Sequence, residues 1–305
     1  MKIVRYPEKT TWKDLLKRPK QDPDQINESV TAILDDVRKN GDLALKKYNR
    51  ALDGADLDDI LVSEEEIRAS EKLLTEPLKE AIRVAADNIR LFHEAQTSKD
   101  ISVEVAPGLR CWQKTVPIDS IGIYVPGGTA PLFSSVLMMA IPARVAGCGN
   151  VILTTPPNSE GKVHPAIVYA HTLPGISKIY KVGGAQAVAA MAYGTGTIPP
   201  VNKIFGPGNQ FVTLAKQMVS MEGIAIDMPA GPSELMVVAD DSTPAAFVAS
   251  VVLPPPILIR TCGSTCLISS VIRNKSSFGT LGLGPLMILR ISTLAFAKLE
   301  VICSI

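Results

Sequence analysis

The chain has 305 residues, 46% of them hydrophobic and 20% charged, which is room for about two domains with a real core. A net charge of +1 excludes the strongly basic balance of a nucleic-acid or anionic-membrane binder. The nearest approach to a membrane span, LGLGPLMILRISTLAFA, is interrupted by Pro285 and Arg290, so none is expected. The opening MKIVRYPEKTTWKDLLKRPK is mixed in charge and lacks the apolar centre of a secretory signal. With an odd set of cysteines (Cys111, Cys148, Cys262, Cys266 and Cys303), this predicts a reducing, cytoplasmic setting.

The first hundred residues read as helical. Val30, Ile33, Leu34 and Val37 share one face of a helix, and Ile82, Ala85, Ile89 and Phe92 make a second apolar stripe; both predict core packing. Ser63 followed by Glu66 has the spacing of a capping box. The pattern then changes to strands alternating with helices. IGIYV (121–125) ends in Pro126-Gly127-Gly128, and a helix follows with Pro131 in its first turn and a kink at Pro142. VILTT (151–155) is a second strand, residues 164–173 a helix, and ISKIYKV (176–182) a third strand leading through Gly183-Gly184 into an alanine-rich helix. KIF (203–205) opens into Gly206-Pro207-Gly208-Asn209 and another helix. This order predicts an α/β fold: a Rossmann-like parallel sheet, helices on both faces, right-handed crossovers and an N-terminal helical segment.

Three strands end in glycine-rich turns, YVPGGTAP, KVGGAQA and IFGPGNQ, none of them GxGxxG. Ligands of open parallel sheets sit beyond the carboxyl ends of the strands, where helix N-termini present free N–H groups. A nucleotide or other anionic ligand is therefore one expectation, tight turns that need glycine the other. Further on, Pro232-Ser233-Glu234 stands between two strand-like runs, where Ser233 either meets a substrate or bonds its own backbone.

The long stretches NIRLFHEAQ, IYVPGGTAPLFSSVLMMAIPARVAGC, KVGGAQAVAAMAYGTGTIPPVNKIFGPGNQFV and AIDMPAGPSELMVVAD resemble, in order and spacing, the histidinol dehydrogenase family over residues 1–250. The resemblance implies an NAD- and zinc-dependent cytoplasmic homodimer that oxidises L-histidinol to L-histidine through the aldehyde, in two hydride transfers. It places Tyr124, Gln186 and Asn209 at the NAD and Ser233 at histidinol; the alternatives are a core tyrosine, a first-turn glutamine and a helix cap. It also implies a discontinuous organisation: residues 1–123 as N-terminal helices and the first part of one domain, 124–233 as an inserted NAD-binding unit, 234–250 returning to the first domain, and 251–305 unmatched.

After FVAS the resemblance ends. The family continues there with a helix close to Asp-Leu-Leu-Ser-Gln-Ala-Glu-His-Gly, whose Gln and His bind zinc. The aligned positions here are Pro255 and Leu258, in the run VVLPPPILIR, and neither side chain has a lone pair for a metal. The family's catalytic Glu-His pair and its further zinc ligands, an Asp and a His, have no counterpart: no histidine follows His171 and no aspartate follows Asp241. The chain is about 120 residues shorter than the family, on the order of one large substructure. Residues 251–305 hold five basic side chains and one acid, whereas 1–250 are net acidic. Cys262 and Cys266 with Cys303 make a poor zinc set. His93, His164 and His171 are candidate bases, the last two expected on a surface-type helix. The abrupt change predicts a shifted reading frame near codon 251 and a chain without turnover; a nucleotide-binding remnant, a partner for a full-length subunit and a misfolded fragment are the alternatives.

Overall fold

The computed structural model describes residues 8–12, 23–97, 100–128 and 131–229, and the backbone of 236–239 and 258–261. Chain contacts divide it into two units, Gln21–Pro229 and a second formed by Met1–Lys20 with Ala230–Ile305.

The first unit opens with helices α1 (Pro23–Asn40) and α2 (Asp42–Tyr48), a π-helical turn (Asn49–Asp53), α3 (Glu64–Lys72) and α4 (Glu76–Ala95). On α1 the expected stripe is real: Val30, Leu34 and Val37 are buried and Ile33 packs beside them. On α4, Ile82 is buried while Ala85 and Ile89 are partly covered, but Phe92 is exposed and lies outside the core. The stripe drifts at its last turn because the helix outruns the surface it packs on. Ser63 caps α3 as expected. Its Oγ accepts from the Glu66 N–H at 3.1 Å, and the Glu66 carboxylate accepts from the Ser63 N–H at 2.8 Å.

A hairpin, β1 (Ile101–Ala106) with β2 (Leu109–Gln113), follows. Beyond it, β3 (Ser120–Tyr124), β4 (Asn150–Thr155), β5 (Lys178–Lys181), β6 (Lys203–Phe205) and β7 (Ala225–Ile226) form one parallel sheet in the order β5-β4-β3-β6-β7. Helices α5 (Phe133–Val145), α6 (Pro165–Thr172), α7 (Gly184–Tyr193) and α8 (Gln210–Met221) connect the strands. Pro131 lies outside α5, which starts two residues later with Leu132 as its N-cap, and Pro142 lies inside it. Strand alternation sorts the core into two layers. Ile121, Ile123, Val151, Leu153 and Ile179 meet α4, α5 and α6. Tyr124, Ile152, Tyr180 and Ile204 meet α1, α2, α7 and α8. Each large aliphatic side chain so enclosed contributes about 1.5–3 kcal/mol. The N-terminal helices thus thicken both faces of the sheet.

Helix α6 is not of surface type. Its residues 166–171 are all buried, His171 included, because α3 and α5 cover it. In the second unit, β8 (Met236–Ala239) pairs in parallel with β9 (Leu258–Thr261). The backbone at Leu258 is therefore a strand, where the family pattern implied a helix; three consecutive prolines exclude a helix there, and ILIRT suits a strand. Among the described residues no helix is long and apolar enough to cross a membrane.

Candidate functional site

The sheet changes its direction of travel between β3 and β6. From β3 the chain moves outward through β4 to β5, then returns to place β6 and β7 on the other side. Loops diverge at such a switch point and leave a crevice at the carboxyl ends of the strands. A cavity of about 1290 Å³ lies there, lined by the turns after β3 and β4, the start of α7, and Asn209, with the N-terminal helices closing its far side.

The glycines around it are set first by chain packing. Pro156, just after β4, wedges between the neighbouring turns: a Cβ on Gly127 would lie 2.7 Å from its ring, and one on Gly183 2.5 Å. Gly206 has φ +135°, and a Cβ there would sit 2.0 Å from the Tyr124 carbonyl oxygen. No side chain fits that gap. The turn is clamped further by a buried ion pair. Lys216 on α8 donates to the Gly206 carbonyl at 2.9 Å and pairs with Asp227, whose other carboxylate oxygen accepts the Gly206 N–H at 2.8 Å.

Three of the four expected site residues meet at this cavity. Tyr124 is almost fully buried, and its hydroxyl oxygen accepts the N–H of Gly184 at 3.2 Å, which leaves the O–H to donate. Burial pushes the phenol up to about 12, the Gly184 N–H opposes this, and the nearby negative charge of Asp53 adds to it, so the hydroxyl keeps its proton at neutral pH. Gln186 sits in the first turn of α7, 1% exposed, and its Oε1 has no hydrogen-bond partner among the described residues. Helix α7 begins at a glycine N-cap that has no side chain of its own to bond the first turn, and the Tyr124 hydroxyl takes the N–H of its first residue, Gly184. Asn209 does cap a helix: its Oδ1 accepts from the Val212 N–H at 3.1 Å, leaving its Nδ2 to donate. Ser233 and Pro255 lie outside the described residues, as do Cys262, Cys266 and Cys303.

Among the described residues three carboxylates line this cavity, Asp53, Glu66 and Glu160, and none was read from the sequence as a site residue; Glu160 pairs with Lys162 at 3.4 Å. Glu66, having closed the capping box, also receives the nearly buried Lys181 ammonium at 3.1 and 3.3 Å, tying α3 to the end of β5. Asp53 ends the π-helical turn and lines the cavity; its Oδ2 is buried without a partner, and burial raises the carboxyl from 3.8 to about 6. Its acid form is thus favoured in the folded chain, and between those two values the folded state holds more protons than the unfolded one. Stability contributed by this group falls as pH rises through that window. Asp53→Asn is expected to raise the melting temperature relative to the parent at about pH 8 and to leave it nearly equal at about pH 4. Melts with the same offset at both pH values would contradict this.

Each histidine makes a structural contact, and His164 also lines the cavity. His164 accepts the Ala166 N–H at 3.2 Å and caps α6, and buried His171, its pKa lowered chiefly by burial, bonds the Val168 carbonyl. Half-buried His93 stands edge-on to Phe92. Among the described residues no group of three or more His, Cys, Asp or Glu side chains could hold a metal ion.

The histidinol dehydrogenase family model matches residues 16–254, and the chain continues unmatched beyond it. Histidinol dehydrogenase of Bacteroides thetaiotaomicron is 51% identical over 250 residues, 82% of this chain and 58% of that protein. The Salmonella choleraesuis enzyme is 50% identical over 239 residues, 77% of this chain and 54% of its own. The crystal structure of histidinol dehydrogenase from Elizabethkingia anophelis superposes with a TM-score of 0.76 at 45% identity, covering 84% of this chain and 60% of that one. The chain therefore spans somewhat more than half the length of the relatives it matches.

Proposed function

The chain belongs to the histidinol dehydrogenase family, an oxidoreductase family of histidine biosynthesis, and from that premise we propose that it carries the NAD-binding side of such an enzyme without completing the oxidation of L-histidinol. The single observation that supports this most is the β3/β6 crevice, where Tyr124, Gln186 and Asn209, far apart in sequence, line one cavity. The cradle suits a dinucleotide. It combines a retained phenolic donor, a buried amide oxygen lacking a partner among the described residues, and the N-terminal end of α7, whose first N–H bonds Tyr124, for a pyrophosphate. In a complete enzyme of the family, bound NAD+ would accept the hydride from the substrate carbon. Tyr124 donates its O–H, Gln186 accepts a donor in its buried pocket, and Asn209 offers Nδ2 while its Oδ1 holds α8. In this reading Ser233 meets histidinol, and the inserted unit of the sequence reading, 124–233, is the nucleotide module.

Zinc does not fit the positions where the family holds it. Pro255 has no donor atom and Leu258 ends in hydrocarbon, so no proton transfer or substrate orientation is routed through a metal here. The catalytic Glu-His pair has no counterpart either. The reading therefore joins two expectations: family membership, and a binding protein rather than a turning-over one. The family's homodimer and cytoplasmic setting come with it.

The test is a titration of NAD+ into the chain. Tyr124→Phe is expected to weaken binding about 5-fold, the value of one hydrogen bond, and to lower the melting temperature slightly because the Gly184 N–H loses its acceptor. Equal affinity in the two proteins would contradict a role for this hydroxyl.

A further inference from the structure

Resting on the dinucleotide reading of the crevice, we infer that Asp53 is the acceptor for the adenosine ribose hydroxyls and makes the site discriminate NAD+ from NADP+. In open α/β sheets that bind dinucleotides, an acid at the end of the second strand takes the ribose 2′-hydroxyl. Here the second strand, β4, ends in Thr154-Thr155-Pro156, and the carboxylate in the loop that follows, Glu160, pairs with Lys162 at 3.4 Å while Glu66 pairs with Lys181, so of the three acids lining the cavity Asp53 is the one with an unpartnered buried oxygen among the described residues. That carboxylate reaches the cavity from outside the sheet.

The delivery of Asp53 is built. Asn49, fully buried, donates its side-chain amide to the Lys181 carbonyl at the carboxyl end of β5, at 2.7 Å across 132 positions of sequence. That bond pins the start of the π-helical turn to the sheet. The turn then closes with the Ala55 N–H on the Asn49 carbonyl at 3.1 Å and Gly54 at φ +67°. Asp53, the last residue of the turn, is left facing the cavity that Tyr124 and Gln186 line.

Two acceptors there lack donors among the described residues: Asp53 Oδ2 and, independently, Oε1 of the almost wholly buried Gln186. A buried acceptor without a donor costs stability, and a native site keeps one where a ligand supplies the donor. Vicinal hydroxyls are such donors. A 2′-phosphate is the opposite: it brings negative charge against a carboxylate, and among the described residues the one lysine or arginine lining the cavity, Lys162, pairs with Glu160.

The experiment measures the affinity of the full chain for NAD+ and for NADP+ by calorimetry, in the parent and in Asp53→Asn. The parent is expected to prefer NAD+ at least 10-fold. In Asp53→Asn the preference is expected to shrink about 10-fold, through weaker NAD+ and stronger NADP+ binding, with no loss of melting temperature at neutral pH. An unchanged NAD+/NADP+ ratio in a variant that still binds NAD+ overturns the assignment of Asp53 alone. A parent chain that binds neither dinucleotide overturns both this and the reading of the crevice.

Discussion

Gly206→Ala is expected to lose more than about 3 kcal/mol of stability and to abolish dinucleotide binding. Two costs combine. Alanine at φ +135° is strained by about 1–3 kcal/mol, and the added carbon would sit 2.0 Å from the Tyr124 carbonyl oxygen. Main-chain atoms of two strands hold that contact, so a side-chain rotation cannot relieve it. The sheet must part between β3 and β6, at the crevice itself. Denaturant unfolding of the parent and variant checks this, and a midpoint within error of the parent would contradict the packing described.

Lys216→Met is expected to cost about 1–3 kcal/mol, because it leaves half-buried Asp227 beside the Gly206 turn without its countercharge and the Gly206 carbonyl without its donor. The side chain of Lys216 is 7% exposed and that of Asp227 28%, so water screens the loss only in part. The double variant Lys216→Met, Asp227→Asn should recover much of the stability, since the unpaired charge is gone. A double variant less stable than Lys216→Met would show that the pair does not act as a unit.

Much of the architecture was legible in the chain. The strand at 203–205 falls on KIF, and β4 adds only Asn150 to VILTT, because short β-rich runs bounded by turns have few other solutions. The capping box of α3 is local chemistry and was readable as such. The hairpin at 101–113 left a signal that went unused: ISVEV alternates and Pro107-Gly108 supplies its turn. The glycine-rich turns were legible as a site, yet their cause was not. Gly127 and Gly183 answer to Pro156, and Gly206 to a carbonyl of another strand, contacts that no local pattern reveals. Asp53 was invisible for the same reason. In ALDGADLDD it is one acid among several, and only the bond from Asn49 to β5 selects it. His171 misled because α6 carries a polar residue into a layer that the sequence cannot show to be covered.

The family match ends at residue 254, and the strand Leu258–Thr261 replaces the helix that carries zinc ligands in the family pattern. A chain that, as proposed, binds the nucleotide in this crevice but has no counterpart of the family's Glu-His pair should bind without reacting. The most direct test is a calorimetric titration of NAD+ into the full chain, followed by addition of L-histidinol and zinc while NADH absorbance is recorded. Saturable NAD+ binding with no NADH is the predicted result. Either the absence of binding or the appearance of NADH would contradict the account.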